Sequence, residues 1–414
     1  MDKITFCIPS KNNLRYLKWC IPSIRKNASR DDHDIIIFVD KDTDGTVEWL
    51  EQNAEKYNLR YIVNPDINNS LYGIGRAYDV CVSEAKTDVC MIFHADMYLC
   101  KNTDLLMYNK LSKNSVVCAT RIEPPLHPEG PEKIVKDFGM WPEEDVIEGF
   151  RESELHSFVD EITPKYNGET TNGCFAPWMI FRETMIEIGG HDPILRSARE
   201  DSDIFNRFVL NNMNLIQVRD GFVYHLTCRG GQFEHGVLTK EHSEKSEEWQ
   251  KLMEESTMDY IRKWGRPVEH NGLLYPLVKY RFEIALYIDT TKPFPFLDNV
   301  ALAVEPWVSR LYISDETVVT DIINKIQPNS QHNIFDRVRY IEKDKFMDED
   351  HDVQVFIKNN EFTQNDYNNL TMLSEILEQL MSPGWYELEN LTIHINKFRD
   401  ANLDLIKIDN EFFK

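Results

Sequence analysis

The segment VCMIFHADMYL, residues 89–99, decides the fold class because it joins an apolar run to a polar turn. The run VCMI predicts a strand inside a protein core. The chain then becomes polar, and His94 stands two residues before Asp96. A structural turn needs only the aspartate, whereas a metal or phosphate site could use both side chains.

The residues before this segment alternate between strand and helix patterns. The predicted strands are ITFCI (4–8), DIIIFVD (34–40) and LRYIVN (59–64), and the predicted helices are LRYLKWCIPSIRKN (14–27), TVEWLEQNAEKYN (46–58) and GIGRAYDVCVSEA (73–85). This alternation predicts an α/β fold built on a Rossmann-like sheet, in which ligands bind at the carboxyl ends of the strands.

The length of the chain, 414 residues, predicts more than one domain. We expect a first domain over residues 1–240 and a charged helical connector over 241–275. Strand and helix patterns resume with FEIALYI (282–288), so residues 276–414 are predicted to form a smaller C-terminal α/β domain. No motif of the first domain recurs there, and the role of this domain stays open.

Composition limits the classes of partner and the compartment. A net charge of −23 argues against broad binding of polyanions. The eight cysteines form no CxxC pair, which is typical of free thiols in a reducing compartment. We find neither a secretory leader pattern nor an apolar run long enough to span a membrane, so we expect a cytoplasmic protein without a membrane partner.

Polar residues follow four elements of the predicted sheet. They are Pro9-Ser10-Lys11-Asn12, Asp40, the GIGR of residues 73–76, and His94-Ala95-Asp96. Each alone is weak, because an aspartate after a strand usually caps a helix or a turn. GIGR also lacks the third glycine of a dinucleotide fingerprint. Together they indicate a nucleoside diphosphate site, with carboxylates for the base or ribose and for a divalent ion.

The order of these motifs resembles the family 2 glycosyltransferases of GT-A fold, over roughly residues 1–235. The motifs that carry the resemblance are PSxN, FVDKDTDGT, GIGRAYD, the strand-four motif HADM, an NG…GG segment, Glu-Asp and a late histidine. The family usually has Asp-x-Asp on strand four, and here His94 replaces the first aspartate. The resemblance implies transfer of a sugar, with inversion, from a nucleoside diphosphate sugar, most often of UDP, to an acceptor hydroxyl.

The resemblance also implies roles for individual residues. Asp96 and His225 would hold Mn²⁺ or Mg²⁺, and whether His94 adds a nitrogen ligand stays open. Asp201 would be the general base, with Glu200 as the other member of the acidic pair. The residues that would bind the nucleotide sugar are Pro9, Ser10, Asn12, Asp40, Arg76, His94, Ala95, Asp96, Asn172 and Gly173. Arg76 is expected near the pyrophosphate.

Several of these and neighbouring residues also have a purely structural interpretation. Acidic residues at 200–203 would also suit a helix N-terminus, and Asp203 competes with Asp201 for the role of base. Trp178 suits a core as well as a sugar-stacking platform. The segment 228–236, with Arg229, could be a lid over the diphosphate or a plain surface turn.

The acceptor is left open between a glycan, a protein and a modified base in DNA. A DNA acceptor would require basic residues around the acceptor cleft, and one candidate cluster comprises Lys11, Arg15, Lys18, Arg25, Lys26 and Arg30. The rival class is a catalytically inactive module that binds a nucleotide sugar or serves as a scaffold. A nucleotidyltransferase is disfavoured because no Gly-rich loop follows the first strand. The oligomeric state is left open.

Overall fold

The computed structural model describes residues 1–66, 72–139, 149–196, 198–229, 246–380, 382–399 and 401–413. The chain divides into two compact units. The first comprises Met1–Leu252, Glu269–Leu277 and Lys407–Lys414, and the second comprises Met253–Val268 and Val278–Ile406. The first unit therefore includes two segments that are distant in sequence from its main part.

The first unit is built on a large mixed sheet. Its described strands are β1 (Thr5–Lys11), β2 (Asp34–Lys41), β3 (Arg60–Val63), β4 (Val89–Ile92), β5 (Met97–Leu99), β6 (Ser115–Glu123), β7 (Lys133–Val135), β8 (Thr170–Asn172), β9 (Trp178–Phe181) and β10 (Asn214–His225). The sheet order is β3-β2-β1-β4-β9-β6-β10-β5, with β7 beside β6 and β8 beside β10. β3, β2, β1 and β4 are parallel, and β9 runs antiparallel to β4.

Helices follow most strands of this unit. They are α1 (Leu14–Asn27), α2 (Thr46–Asn53), α3 (Ile74–Ser83), α4 (Thr103–Tyr108), α5 (Glu152–Ile162), α6 (Arg182–Glu187), α7 (Glu200–Leu210) and α8 (Glu247–Trp264). The predicted α/β fold is confirmed. α8 begins in the first unit and ends in the second.

The core of the first unit lies on both faces of the sheet. Successive side chains of a strand point to opposite faces. Phe6 and Ile8 of β1 therefore pack with Leu17 of α1, whereas Cys7 packs with Tyr78 of α3. Burial on both faces explains why these strands read as continuous apolar runs in the sequence.

The structure shows the state of the cysteines and the character of the helices. All eight cysteines lie in the described part of the chain; they are free, and seven of them are buried. No helix among the described residues is long and apolar enough to cross a lipid bilayer.

The second unit contains its own six-stranded sheet. Its strands are β11 (Ile284–Ile288), β12 (Arg310–Ile313), β13 (Val338–Tyr340), β14 (Val353–Ile357), β15 (Gly384–Leu388) and β16 (Leu391–Ile395). The order is β13-β12-β11-β14-β16-β15, in which the first four strands are parallel and β16 is antiparallel to β14. The first four strands thus repeat the order of β3-β2-β1-β4, a repeat of topology without a repeat of motifs.

The helices of the second unit flank this sheet. They are α9 (Leu297–Val304), α10 (Glu316–Ile326), α11 (Ile334–Arg337), α12 (Lys343–Phe346), α13 (Gln364–Thr371) and α14 (Leu373–Leu380). A buried ion network joins α8, α11 and the turn after α9: Glu305 accepts hydrogen bonds from Arg337 Nε at 2.5 Å and from Arg262 Nε at 2.9 Å. All three side chains are buried, so each charge depends on its partners.

We expect Glu305→Ala to lower the free energy of unfolding of the second unit by about 3–5 kcal/mol, because it leaves two buried guanidinium groups without their carboxylate. Urea unfolding followed by circular dichroism measures this loss. The control is Glu387→Ala, which removes an exposed ion pair with Lys358 and should leave the unfolding midpoint unchanged. Equal midpoints for the two variants would contradict the prediction.

Candidate active site

Three side chains with metal-ligand chemistry meet where β4 leads into β5. His94 and Asp96 lie between these strands, and His225 is the last residue of β10. β5 and β10 pair antiparallel with Met97 opposite His225. This register places His225 Nε2 3.6 Å from Asp96 Oδ1, while His94 Nδ1 lies 3.9 Å from the same oxygen. One ligand atom from each residue lies within 4.8 Å of the others, so the set fits a divalent cation.

Glu123, at the end of β6, orients His225. Its Oε1 lies 2.7 Å from His225 Nδ1, and both side chains are buried. Arg121 Nε and Lys133 Nζ lie 3.2 Å and 3.1 Å from the same carboxylate. Burial opposes the charge of Glu123, but the hydrogen bond to His225 and the two cations lower its pKa well below the ordinary value. A carboxylate on Nδ1 leaves Nε2 directed toward Asp96.

Glu123 is not among the site residues predicted from the sequence. It ends the strand pattern SVVCATRIE (115–123), so it occupies the same kind of strand-end position as Asp40. The signal that could have found it is therefore the rule that polar side chains at the carboxyl ends of strands gather at one edge of the sheet.

An aromatic stack fixes α3 beside the cluster. The Tyr78 ring lies 6.3 Å from the His94 ring and 5.8 Å from the His191 ring. His191 Nδ1 in turn lies 2.8 Å from Asp79 Oδ1. Burial lowers the pKa of His94 to about 4, so its imidazole is neutral near pH 7. Neutral imidazole is the form that binds a metal.

A second group of predicted residues lies at the ends of β1 and β2. Asp40 is buried, and its Oδ1 accepts hydrogen bonds from Asn64 Nδ2 at 3.0 Å and from the backbone N–H of Tyr72 at 3.1 Å. Burial raises the pKa of Asp40. Ser10 pairs with Val39, the residue before Asp40. The Oγ of Ser10 is buried without a hydrogen-bond partner among the described residues, so it is available to a ligand.

The other residues predicted near the nucleotide have varied surroundings. Pro9 precedes Ser10 in β1, and Ala95 is buried within the metal-ligand cluster. Asn12 accepts a hydrogen bond from the backbone N–H of Thr43 at 2.7 Å, so it braces the turn after β2. The guanidinium of Arg76 lies over the Tyr72 ring at 4.5 Å. Its predicted role at the pyrophosphate stays a prediction.

Asn172 is the last residue of β8, which pairs with β10, and Gly173 follows it. A Cβ at Gly173 would lie 2.6 Å from the Leu273 carbonyl oxygen, so glycine permits the approach of residues 269–277. Trp178 is buried, and its ring contacts those of Phe205 and Phe208, which supports the core interpretation.

The acidic pair begins α7. Glu200 Oε2 is buried without a hydrogen-bond partner among the described residues. Burial and the neighbouring charge of Asp201 raise the pKa of Glu200 to about 8, whereas the Asp201 side chain is exposed. Asp203, the competitor for the role of base, is buried in an ion pair with Arg207 Nε at 2.9 Å. Its surroundings are those of a structural residue.

Two remaining alternatives concern exposed segments. Of the predicted lid, residues 230–236 lie outside the described residues. In the basic cluster on and around α1, Arg25 donates to the carbonyl oxygens of His33 and Tyr57, and Lys26 pairs with Glu152 at 2.8 Å. Arg30 likewise pairs with Asp32 at 2.9 Å. These cations serve internal contacts.

Residues 5–188 match the family model described as Glycosyl transferase family 2. The match confirms the predicted resemblance to the family 2 glycosyltransferases over this part of the chain. No curated protein shows significant sequence similarity to the chain.

Several solved structures resemble this chain. S. aureus TarS has a TM-score of 0.37 and 16% identity, over 55% of this chain and 37% of its own. GalNAc-T7 with UDP, GalNAc and Mn²⁺ has a TM-score of 0.41 and 16% identity, over 54% of this chain and 43% of its own. S. aureus TarS 1–349 in complex with UDP has a TM-score of 0.40 and 12% identity, over 95% of this chain and 97% of its own. The chain thus spans less than half the length of the first two.

The titration of Glu200 predicts a pH dependence of stability. An unfolded glutamate titrates near pH 4.3, so folding takes up a proton between about pH 4.3 and the folded pKa of about 8. The contribution of Glu200 to stability therefore falls as the pH rises through this interval and levels off above it. Glu200→Gln removes the titration, so its stability relative to wild type should increase from about pH 5 to about pH 8.

Urea unfolding midpoints at several pH values test this prediction. Glu187→Gln changes an exposed glutamate of the preceding helix and should track wild type at every pH. A constant difference between Glu200→Gln and wild type over the whole pH range would show that Glu200 titrates normally.

Proposed function

We propose that this chain transfers a sugar from a nucleoside diphosphate sugar to an acceptor hydroxyl with inversion, with UDP as the first candidate nucleotide. The observation that carries the proposal is the convergence of His94, Asp96 and His225 in a family 2 domain. Ser10 and Asp40 lie at the ends of neighbouring strands of the same sheet, where an α/β fold binds nucleotides.

The donor set favours Mn²⁺ over Mg²⁺ as the cofactor. Two imidazoles and one carboxylate suit a borderline ion, whereas Mg²⁺ prefers oxygen ligands in a strict octahedron. Held by Asp96 and His225, with His94 as a third ligand, the ion would supply positive charge to the departing diphosphate. Glu123 holds the His225 ring through Nδ1, which keeps Nε2 on the side of Asp96.

Asp201 is our candidate for the general base. In an in-line displacement, the acceptor oxygen loses its proton to the base while it bonds to the anomeric carbon, and the bond to the diphosphate oxygen breaks. The exposed carboxylate of Asp201 is accessible to an acceptor. With its raised pKa, the neighbouring Glu200 is mainly protonated near neutral pH, so it carries no charge that would compete for the acceptor proton.

Among acceptors, a glycan or a protein is favoured over DNA. The net charge of −23 opposes binding to polyanions, and three of the six basic residues of the candidate cluster are engaged in internal contacts. The rival function is an inactive nucleotide-sugar-binding module, which the presence of His94 in place of the usual first aspartate favours.

A donor screen with Mn²⁺ tests the proposed activity. We expect binding of a UDP-sugar to raise the melting temperature, and slow donor hydrolysis that Asp96→Ala lowers by roughly 100-fold. Asp201→Asn should retain donor binding and lose transfer to the acceptor. The control Asp315→Asn alters the N-cap of α10 in the second unit and should keep both. Binding without turnover across donors and acceptors would favour the inactive module instead.

Metal affinity tests the role of Glu123. We expect Glu123→Gln to weaken Mn²⁺ binding by about 10–100-fold, because His225 loses the carboxylate that orients it. Electron paramagnetic resonance of free Mn²⁺ measures this directly. Glu132→Gln is the matched control, since Glu132 contacts the same Arg121 and Lys133 at 3.5 Å and 3.4 Å. An equal loss in both variants would mean that the charge network, and not the contact with His225, sets the affinity.

A further inference from the structure

Residues 407–413, which we call the docked segment, return to the first unit after the second unit is complete. The backbone N–H of Ile408 donates to the Ile188 carbonyl at 3.0 Å. A Cβ at Gly189 would lie 1.9 Å from the Ile408 carbonyl oxygen, and a Cβ at Gly190 would lie 2.5 Å from the Phe413 ring. Both glycines also have positive φ, so the GG pair of the sequence is required for this close approach.

Asn410 anchors the docked segment to α3. Its Nδ2 donates to Asp79 Oδ2 at 2.8 Å and to the Gly189 carbonyl at 3.0 Å, and its Oδ1 accepts from the backbone N–H of Phe412 at 3.0 Å. Asp79 is fully buried, as is most of Asn410. A buried amide with these partners fixes the direction in which the following two side chains project.

Phe412 and Glu411 then reach the start of α3. The Phe412 ring lies 6.2 Å from the Tyr72 ring, and the Arg76 guanidinium lies 4.5 Å from the Tyr72 ring and 5.6 Å from that of Phe412. Glu411 forms an ion pair with Arg76. The charge of Arg76 thus already has a carboxylate and two ring faces as partners.

Tyr72 connects this assembly to the predicted nucleotide pocket. Its backbone N–H donates to Asp40 Oδ1 at 3.1 Å, and its ring packs against Phe38 of β2 with centroids 4.8 Å apart. A displacement of Tyr72 would therefore change both the hydrogen bonding of the Asp40 carboxylate and the wall beside it.

We propose that the docked segment is a positioning element of the nucleotide pocket, in which Phe412 and Arg76 hold Tyr72 against Asp40. Arg76 serves this assembly through its ion pair with Glu411 and does not act as a diphosphate ligand. The inference rests on the proposed function, because it assigns the Asp40 pocket to the nucleoside part of the donor.

The inference predicts a common loss of affinity for ligands that share a nucleoside. Calorimetry on the full chain would compare uridine, UMP and UDP. Phe412→Ala and Arg76→Ala should each weaken all three by a similar factor, about fivefold, because the loss acts on the nucleoside part. Phe412→Tyr keeps the ring and should restore affinity. The double variant Arg76→Ala/Phe412→Ala should lose less than the product of the single losses, since both side chains act through Tyr72.

Several outcomes of these measurements would contradict the inference or the proposed function. A much greater loss for UDP than for uridine in Arg76→Ala would make Arg76 a diphosphate ligand and overturn the inference. Unchanged affinities in Phe412→Ala would also overturn it. If Phe412→Ala does not fold, Glu411→Gln, at an exposed side chain, replaces it and should give the same equal loss across the three ligands. Wild-type protein that binds neither uridine nor guanosine nucleotides would instead contradict the proposed function itself.

Phe335→Ala is the control for nonspecific effects of losing an aromatic side chain. Phe335 lies in the second unit and is 61% exposed, so its removal should leave all three affinities unchanged. A loss in this variant equal to that in Phe412→Ala would show that the measured effect does not depend on the docked segment, and would overturn the inference.

Discussion

The antiparallel pairing of β5 with β10 is the constraint on which the candidate site depends. Met97 opposite His225 brings a residue from the end of β10 to the turn that carries Asp96, although 129 positions separate the two in the sequence. Side chains alternate along a strand, so a slip of one residue would turn His225 to the other face of the sheet. Both strands are buried, which makes such a slip costly.

A buried set of charges around Glu123 stabilises the position of His225. Glu123 and Glu132 face Arg121 and Lys133, with nitrogen–oxygen distances between 3.1 and 3.5 Å. Two acids and two bases balance each other, so no uncompensated charge is left away from water. Such a network is favourable only when it is complete, which explains why a candidate metal-ligand histidine can be fixed by residues outside the candidate ligand set.

Much of the fold and part of the site could be predicted from sequence, because strand ends are local signals. Asp40 and Asp96 follow apolar runs, and parallel strands bring such ends to one edge. The contacts of Glu123 could not be predicted, because they depend on the pairing of β6 with β10. The contacts of Glu411 with Arg76 could not be predicted either, because the two residues are 335 positions apart in the sequence. The ion pair of Asp203 could have been predicted from the sequence, because Arg207 stands four residues later on the same helix.

The second unit shows why topology alone does not make a site. Its first four strands repeat the order found around Asp40 and Asp96. Some of its strand-end groups satisfy one another: Asn360 Nδ2 donates to the carbonyls of Asp289 and Lys292, and Asp315 caps α10. Tyr287 Oη and Asp352 Oδ1 of this unit are buried without a hydrogen-bond partner among the described residues. In the first unit, Ser10 Oγ and Glu200 Oε2 are buried without partners among the described residues. Buried polar atoms without partners are costly to folding, and a ligand that hydrogen-bonds to Ser10 and Glu200 would remove this cost; what separates the first unit is that such atoms lie in the same unit as His94, Asp96 and His225.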